Sequence, residues 1–337
     1  MAVLAGRQIV TPRRVVLAGI VLLVAIAELS LGISLFSQSS LATLTPLMGV
    51  MVIAALGQAL VIGTGGIDIS VPAVITLVGS IMLKVGGGVD KNLVGALLVA
   101  AGACALIGLV NGTLVEIMGL NAFVATLATG QLVAGSTRLY RGPVLSVTGV
   151  PPALSDFARS NVAGISYVLI AAVVAVAGSA FLLASSSSGR RMVASSASKT
   201  AARFIGLHSQ LNRVLVYVIA ALLFGLAGTL LAGQIGSPNL TLGSPYLLAT
   251  VVAVVVGGAS LAGGRVDPVA TLLGALFITL LDHILAAQGY SSGVAMVAQG
   301  AVLGLGLAAV YLLRTNERIA MWVRRRRRTA NVPTMPG

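Results

Sequence analysis

From Val15 to Leu313 one apolar run follows another, and no polar insertion between them is large enough to fold by itself. About 20 apolar residues cross a bilayer as a helix, with every backbone group bonded inside the segment. At 57% hydrophobic, 9% charged and a mean hydropathy of +1.04, the chain is far from a soluble domain, in which about a quarter of residues are charged. The expectation is an all-α, polytopic membrane protein with about ten transmembrane helices. They fall at residues 15–36, 47–62, 71–85, 93–115, 122–139, 166–184, 214–232, 246–262, 269–286 and 294–313. The second, third and eighth are short, which marks them as candidates for re-entrant or kinked segments. The chain then divides into a basic leader at 1–14, a transmembrane domain at 15–313 with a large loop at 185–213, and a basic tail at 314–337. The first run continues to Phe36 without a small-residue cleavage site, so it reads as a span rather than a removed signal. Cys104, the one cysteine, sits inside an apolar run and carries no disulfide, redox or metal pattern.

A net charge of +13 would suggest nucleic acid in a soluble protein, but here the distribution decides its meaning. With ten spans, 16 of the 21 Lys and Arg residues share a side with both termini and the 185–213 loop. Lys84, Lys91, Arg138, Arg141 and Arg159 are left for the other side. The positive-inside bias then places both termini and the loop in the cytosol. Arg324 to Arg328, following Trp322, read as attraction to anionic membrane lipid behind an aromatic anchor, about 1 kcal/mol per basic residue, and not as a nucleic-acid site.

Two polar, glycine-rich interruptions stand out: GTGGIDISVPA at 63–73 and GSPNLTLGSPY at 236–246. Asp68 and Ser70 alternate with apolar residues in the first as Asn239 and Thr241 do in the second, at a constant offset of 171 residues. The same offset pairs Gly57 with Gly228, Gly65 with Gly236, Gly86 with Gly257 and Gly87 with Gly258. Broken spans at corresponding positions of two halves point to the binding site of a repeat-built transporter. Five spans separate Asp68 from Asn239, an odd number that reverses topology, so the expected repeat is an inverted one of five helices. Ser70, Asn239 and Thr241 can donate and accept hydrogen bonds, which suits a hydroxylated solute. Asp68 reads mainly as holding the first turn of the third span, with Pro72 suited to that turn; direct solute contact is the second reading.

Other polar groups have plainer readings. Glu28 interrupts the first span, where an acid is a functional candidate or pairs with a neighbour. Asn121 reads as the N-cap of the fifth span. Arg265 and Asp267 read as local partners in the turn GGASLAGGRVDP, and Asp282 with His283 as an interfacial or hydrogen-bonded pair with no third residue for a triad or metal site. In the 185–213 loop a short helix at 195–207 places Ala202 and Ile205 on one side and Lys199 and Arg203 on another. Lys199-Thr200 lacks the flanking glycines of a P-loop, whose positions hold Val193 and Ser198. No Walker sequence occurs, so no ATP hydrolysis is expected of this chain.

Taken together these motifs resemble the ribose-type permease family of bacterial ABC importers, over about 47–313. GGIDIS is similar to that family's signature between spans two and three. GLVNGTLVEIMGLNAFVATLATG is similar to its Asn-Gly element and the Phe-x-x-Thr-Leu-x-Thr stretch that follows, here Phe123, Thr126, Leu127 and Thr129. GRRMVASSASKTAARFIGL resembles its cytosolic coupling element, keeping Gly189, Arg190, Ala201, Ala202 and Gly206, and VVVGGASLAGG its later glycine-rich signature. Ser196 and Ser198 replace the usual Gly-x-Asn before the paired alanines, and Pro72 and Ala73 replace Gly and Ser. The resemblance implies a second permease copy or homologue, two ABC ATP-binding subunits on the cytosolic face, and an extracytoplasmic solute-binding protein. ATP and Mg would be used by those partners, with no cofactor bound by this chain, in a bacterial inner membrane. It implies a monosaccharide or related polyol as solute, with autoinducer-2, nucleosides or branched-chain amino acids as the alternative. An ion-coupled secondary transporter would place paired ionisable groups at the midplane, for which only Asp68 and Glu28 are candidates. A membrane enzyme lacks a nucleophile and base.

Overall fold

The computed structural model describes residues 12–142, 149–186, 189, 209–264, 266–306 and 308. Its helices are α1 Pro12–Ala25, α2 Gln38–Gly63, α3 Val71–Lys84, α4 Leu93–Gly112, α5 Ala122–Arg141, α6 Pro152–Arg159, α7 Tyr167–Ser185, α8 Ser209–Ile235, α9 Tyr246–Val256, α10 Pro268–Ala287 and α11 Ser292–Gly306. Within the described residues a helix overlaps part or all of each expected stretch, and α6 is added between α5 and α7. Among the described residues five segments are long and apolar enough to cross a membrane: α2, α7, α10, and the stretches Asp90–Ile117 around α4 and Gln210–Ile235 of α8. The remainder includes a two-residue hairpin, β1 Asn161–Val162 against β2 Ile165–Ser166, turned by Ala163 and Gly164 at φ 52 and 84, the left-handed pair that a tight hairpin turn requires.

The second span is not short. It begins at Gln38 rather than Leu47 and runs for 26 residues, because its polar first turns are satisfied locally. Ser37 caps the helix by accepting from Ser40 N at 3.2 Å, while Thr43 and Thr45 donate to Ser39 O and Leu41 O at 3.0 and 2.7 Å. Hydroxyls bonded back to the preceding turn carry no unpaired group into apolar surroundings. The first run correspondingly breaks: α1 ends at Ala25, a π-turn spans Ile26–Ser30, and Glu28 accepts from Leu35 N at 2.6 Å. The third and eighth spans are short, 14 and 11 residues in α3 and α9. Asn121 caps α5 as expected, accepting from Phe123 N and Val124 N at 3.0 and 3.4 Å.

Two long helices organise the rest. α2 packs against α7, α8, α9 and α10, and α8 against α2, α3 and α4. Their shared core holds the fully buried Tyr217, Phe224, Ile53 and Leu56. Close approach of α4 to α8 depends on small residues four apart. A Cβ at Gly108 would lie 2.6 Å from Tyr217 O, and one at Gly112 2.8 Å from Val214 Cα, the small-xxx-small device of membrane helices.

Hydrogen bonds define the two ends of the bundle. At one end Gly264 N donates to Gly63 O at 3.0 Å, joining the end of α2 to the turn between α9 and α10. Arg13 of α1 lies at the same end, donating to both Asp267 oxygens at 2.7 Å; Asp267 also caps α10 through Val269 N and Ala270 N. Asp267 therefore pairs with Arg13, and Arg265 falls outside the described residues. At the other end Val150 N donates to Gly236 O at 2.9 Å, Ala153 N to Asp90 Oδ1 at 2.8 Å, and Arg159 Nε to Gln234 O at 3.1 Å. This fastens α6 over the end of α8 and the start of α4.

Candidate functional site

The break between α2 and α3 begins at Gly65, whose φ of 86 is open to glycine at little cost. Asp68 Oδ1 accepts from Ser70 N at 2.8 Å and from the Ser70 hydroxyl at 2.5 Å. The Asn111 amide of α4 donates to Ser70 Oγ at 3.0 Å and to Asp68 Oδ2 at 3.4 Å. The Thr129 hydroxyl of α5 donates in turn to Asn111 Oδ1. One turn earlier on α5, Thr126 Oγ1 accepts from Ile69 N at 2.9 Å and lies 3.2 Å from Ile67 O. Asp68, Ser70, Asn111, Thr126 and Thr129 are all buried. Burying a carboxylate is costly unless hydrogen bonds satisfy it; Ser70 of the break and Asn111 of α4 do so directly, and Thr129 of α5 holds Asn111 in place. Asp68 makes a local turn before α3 and not the expected hold on its first turn, for its carboxylate bonds Ser70, the residue preceding the helix, and no amide within it. The convergence was hidden in the sequence, since nothing in the spacing of Asn111, Thr126 and Thr129 says which way their helices turn.

The second break has the same local form. Gly236 sits at φ 82, and Asn239 Oδ1 accepts from Thr241 N at 3.0 Å and the Thr241 hydroxyl at 3.1 Å. Its environment differs, for Asn239 and Thr241 are exposed. The pairs Asp68–Ser70 and Asn239–Thr241 share no hydrogen bond. The two breaks meet further along, where Gly243 N donates to Thr76 Oγ1 at 3.1 Å and a Cβ on Gly243 would fall 2.1 Å from Pro72 O. Pro72 and Gly243 are themselves related by the 171-residue offset.

Of the loop residues singled out for coupling, Gly189 alone is described. It is buried, with its N–H donating to Ser186 Oγ at 2.8 Å and its missing Cβ replaced by Leu182 O, 2.3 Å from where that atom would stand. Arg190, Lys199, Ala201, Ala202, Arg203 and Gly206 lie outside the described residues, as does the 195–207 helix. Two polar pairs went unread in the sequence. Arg213, at the start of α8, donates to Glu116 in the π-turn Thr113–Ile117 that ends α4, and both side chains are 4% exposed. Gln299 of α11 donates to Asp282 of α10 at 3.0 and 2.9 Å, so Asp282 is bonded across helices and not to His283.

Residues 40–313 match the family described as branched-chain amino acid transport system / permease component. The ribose import permease protein of Escherichia coli is 32% identical, over 86% of this chain and 91% of that protein. That of Bacillus subtilis is 34% identical over 77% and 80%. The autoinducer 2 import system permease protein of Yersinia enterocolitica is 30% identical over 82% and 85%. No solved structure matches the chain. The chain therefore belongs to this permease family, among its ribose-type members, as a multi-pass membrane subunit of a bacterial ABC importer.

Proposed function

We propose that the chain is the translocating subunit of a binding-protein-dependent importer for a monosaccharide or related polyol, driven by ATP hydrolysis on partner subunits. The observation that carries this reading is the pair of matching polar breaks, each reached from a different end of the bundle: the first lies by the Gly63–Gly264 contact, the second by the Val150–Gly236 contact. It is supported by the exchange of packing between halves, α2 on α9 and α10 against α8 on α3 and α4, and by the Pro72–Gly243 approach, where an internal two-fold axis would bring equivalent residues together. Half-helix ends and free backbone groups face a polar path in such a fold, not lipid. Asn239 and Thr241 offer neutral donors and acceptors that hold a hydroxylated solute weakly enough to release it. Asp68 and Ser70 hold the wall of that path.

In this reading both termini are cytosolic, two permease copies or homologues form the pore, and the 195–207 helix seats Lys199, Ala201, Ala202, Arg203 and Gly206 in a groove of the ATP-binding subunit, with Gly189 and Arg190 at its approach. A solute-binding protein delivers the solute at the opposite face. Reconstituting the chain with ABC ATP-binding subunits and a solute-binding protein from its own source tests this. Uptake should need internal ATP and survive collapse of ion gradients, and ligand profiling of the binding protein should return a sugar or polyol. Uptake that follows an ion gradient without ATP would overturn the reading.

A further inference from the structure

The 171-residue offset that sets Asn239 on Asp68 and Thr241 on Ser70 also sets Asp282 on Asn111. Acid and amide thus change places between the halves. The first half has its acid in the break and its amide on the helix, and the second half the reverse. In both, the helix residue is held from the next helix: Thr129 donates to Asn111 Oδ1, and Gln299, one residue out of register with Thr129, donates to Asp282 at 3.0 and 2.9 Å.

The halves differ in whether break and helix are joined. In the first they are, through Asn111 to Ser70 and Asp68, and Thr126 grips the backbone at Ile69 N. In the second, Asn239 accepts from Thr241 and is exposed, while the half-buried Asp282 accepts from Gln299. The counterpart of Thr126 is Val297, which has no polar atom with which to grip a backbone. The unused capacity is complementary. Asn239 keeps both amide hydrogens, and each Asp282 oxygen has a second lone pair beyond the one facing Gln299, so the two can join without breaking a bond already made.

We propose that Asp282 is the positioning residue for the second break. The first break stays fixed, and the second moves during transport so that the Asn239 amide docks on the Asp282 carboxylate, repeating across the second half the bond that Asn111 makes to Asp68. Docking withdraws the exposed Asn239–Thr241 turn into the bundle and closes the path from that end. This rests on the two-half permease reading given above.

A test uses the full chain assembled with its ATP-binding subunits in membranes. Cys104→Ala removes the one native thiol, and Asn239→Cys with Asp282→Cys reports contact by copper-phenanthroline oxidation. Disulfide yield should differ by about tenfold between the nucleotide-free and the vanadate-trapped complex, as expected for a two-state element whose populations are exchanged. Equal yield in both states, or none in either, overturns the proposal. Uptake gives the second readout. Asp282→Leu should lose at least about tenfold of transport, a transition-state penalty above 1.4 kcal/mol, at unchanged assembly, whereas Asn239→Asp combined with Asp282→Asn should restore it. Undiminished uptake by Asp282→Leu also overturns the proposal. The two failures separate: ATP-independent uptake by the parent chain sinks the importer reading, and a parent that imports with ATP while its cysteine pair ignores nucleotide sinks this one.

Discussion

Asn111 is the residue on which the first break depends, because its amide donates to Asp68 and Ser70 while its oxygen accepts from Thr129. Replacing it with Leu leaves Asp68 Oδ2 without a donor, while Ser70 keeps its bond to Oδ1 and Thr129 turns to Ala125 O, and one unsatisfied buried acceptor costs about 1–3 kcal/mol. Asn111→Leu should therefore lower both the thermal midpoint of the detergent-purified chain and uptake. Asn239→Leu should behave otherwise. Asn239 is exposed and its one acceptor serves Thr241, so uptake should fall by at least about tenfold, or 1.4 kcal/mol, with the midpoint nearly unchanged. A parallel loss of folding in both variants would contradict the assignment of the first break to structure and the second to solute. Asp68 and Asn239 were legible as sequence-related positions, since the pattern Asp/Asn-x-Ser/Thr within glycines forms its turn from neighbours alone. Their opposite burial was not legible, because it depends on which helix lies alongside.

Among the elements, the α4–α8 pair is held at one end by the buried Glu116–Arg213 bond. Breaking a buried pair strands one charge and costs about 3–5 kcal/mol, whereas replacing both partners with apolar residues is often neutral. Arg213→Ala should sharply reduce the folded fraction on size-exclusion chromatography, and Glu116→Leu combined with Arg213→Met should recover much of it. The Arg13–Asp267 pair tests the opposite regime. It is 52% and 38% exposed, so Arg13→Ala should cost less than about 1 kcal/mol. Asp267→Ala also removes the cap of α10 and should cost about 1 kcal/mol more. Thermal midpoints compared side by side give the ordering, and a larger loss from Arg13→Ala would reverse it.

For the whole molecule, the asymmetric placement of Lys and Arg predicts orientation. A cysteine at Thr200, in a Cys104→Ala background, should react with a membrane-impermeant maleimide in inverted vesicles and not in intact spheroplasts. What the sequence determined by itself was whatever rests on neighbours a few residues apart: apolar runs long enough for membrane helices, the Asn121 cap, the glycine-marked breaks, and the motifs that identify the permease family. Tertiary structure alone decided which polar residues meet. Asn111 reaches Asp68 across 43 positions, Arg213 reaches Glu116 across 97, and Arg13 reaches Asp267 across 254. Apolar runs carry almost no record of helix rotation, because every face is hydrophobic and lipid and protein neighbours are equally apolar. A buried polar side chain then finds its partner only once the helices have packed, and that packing, not spacing along the chain, seals the first break and leaves the second open.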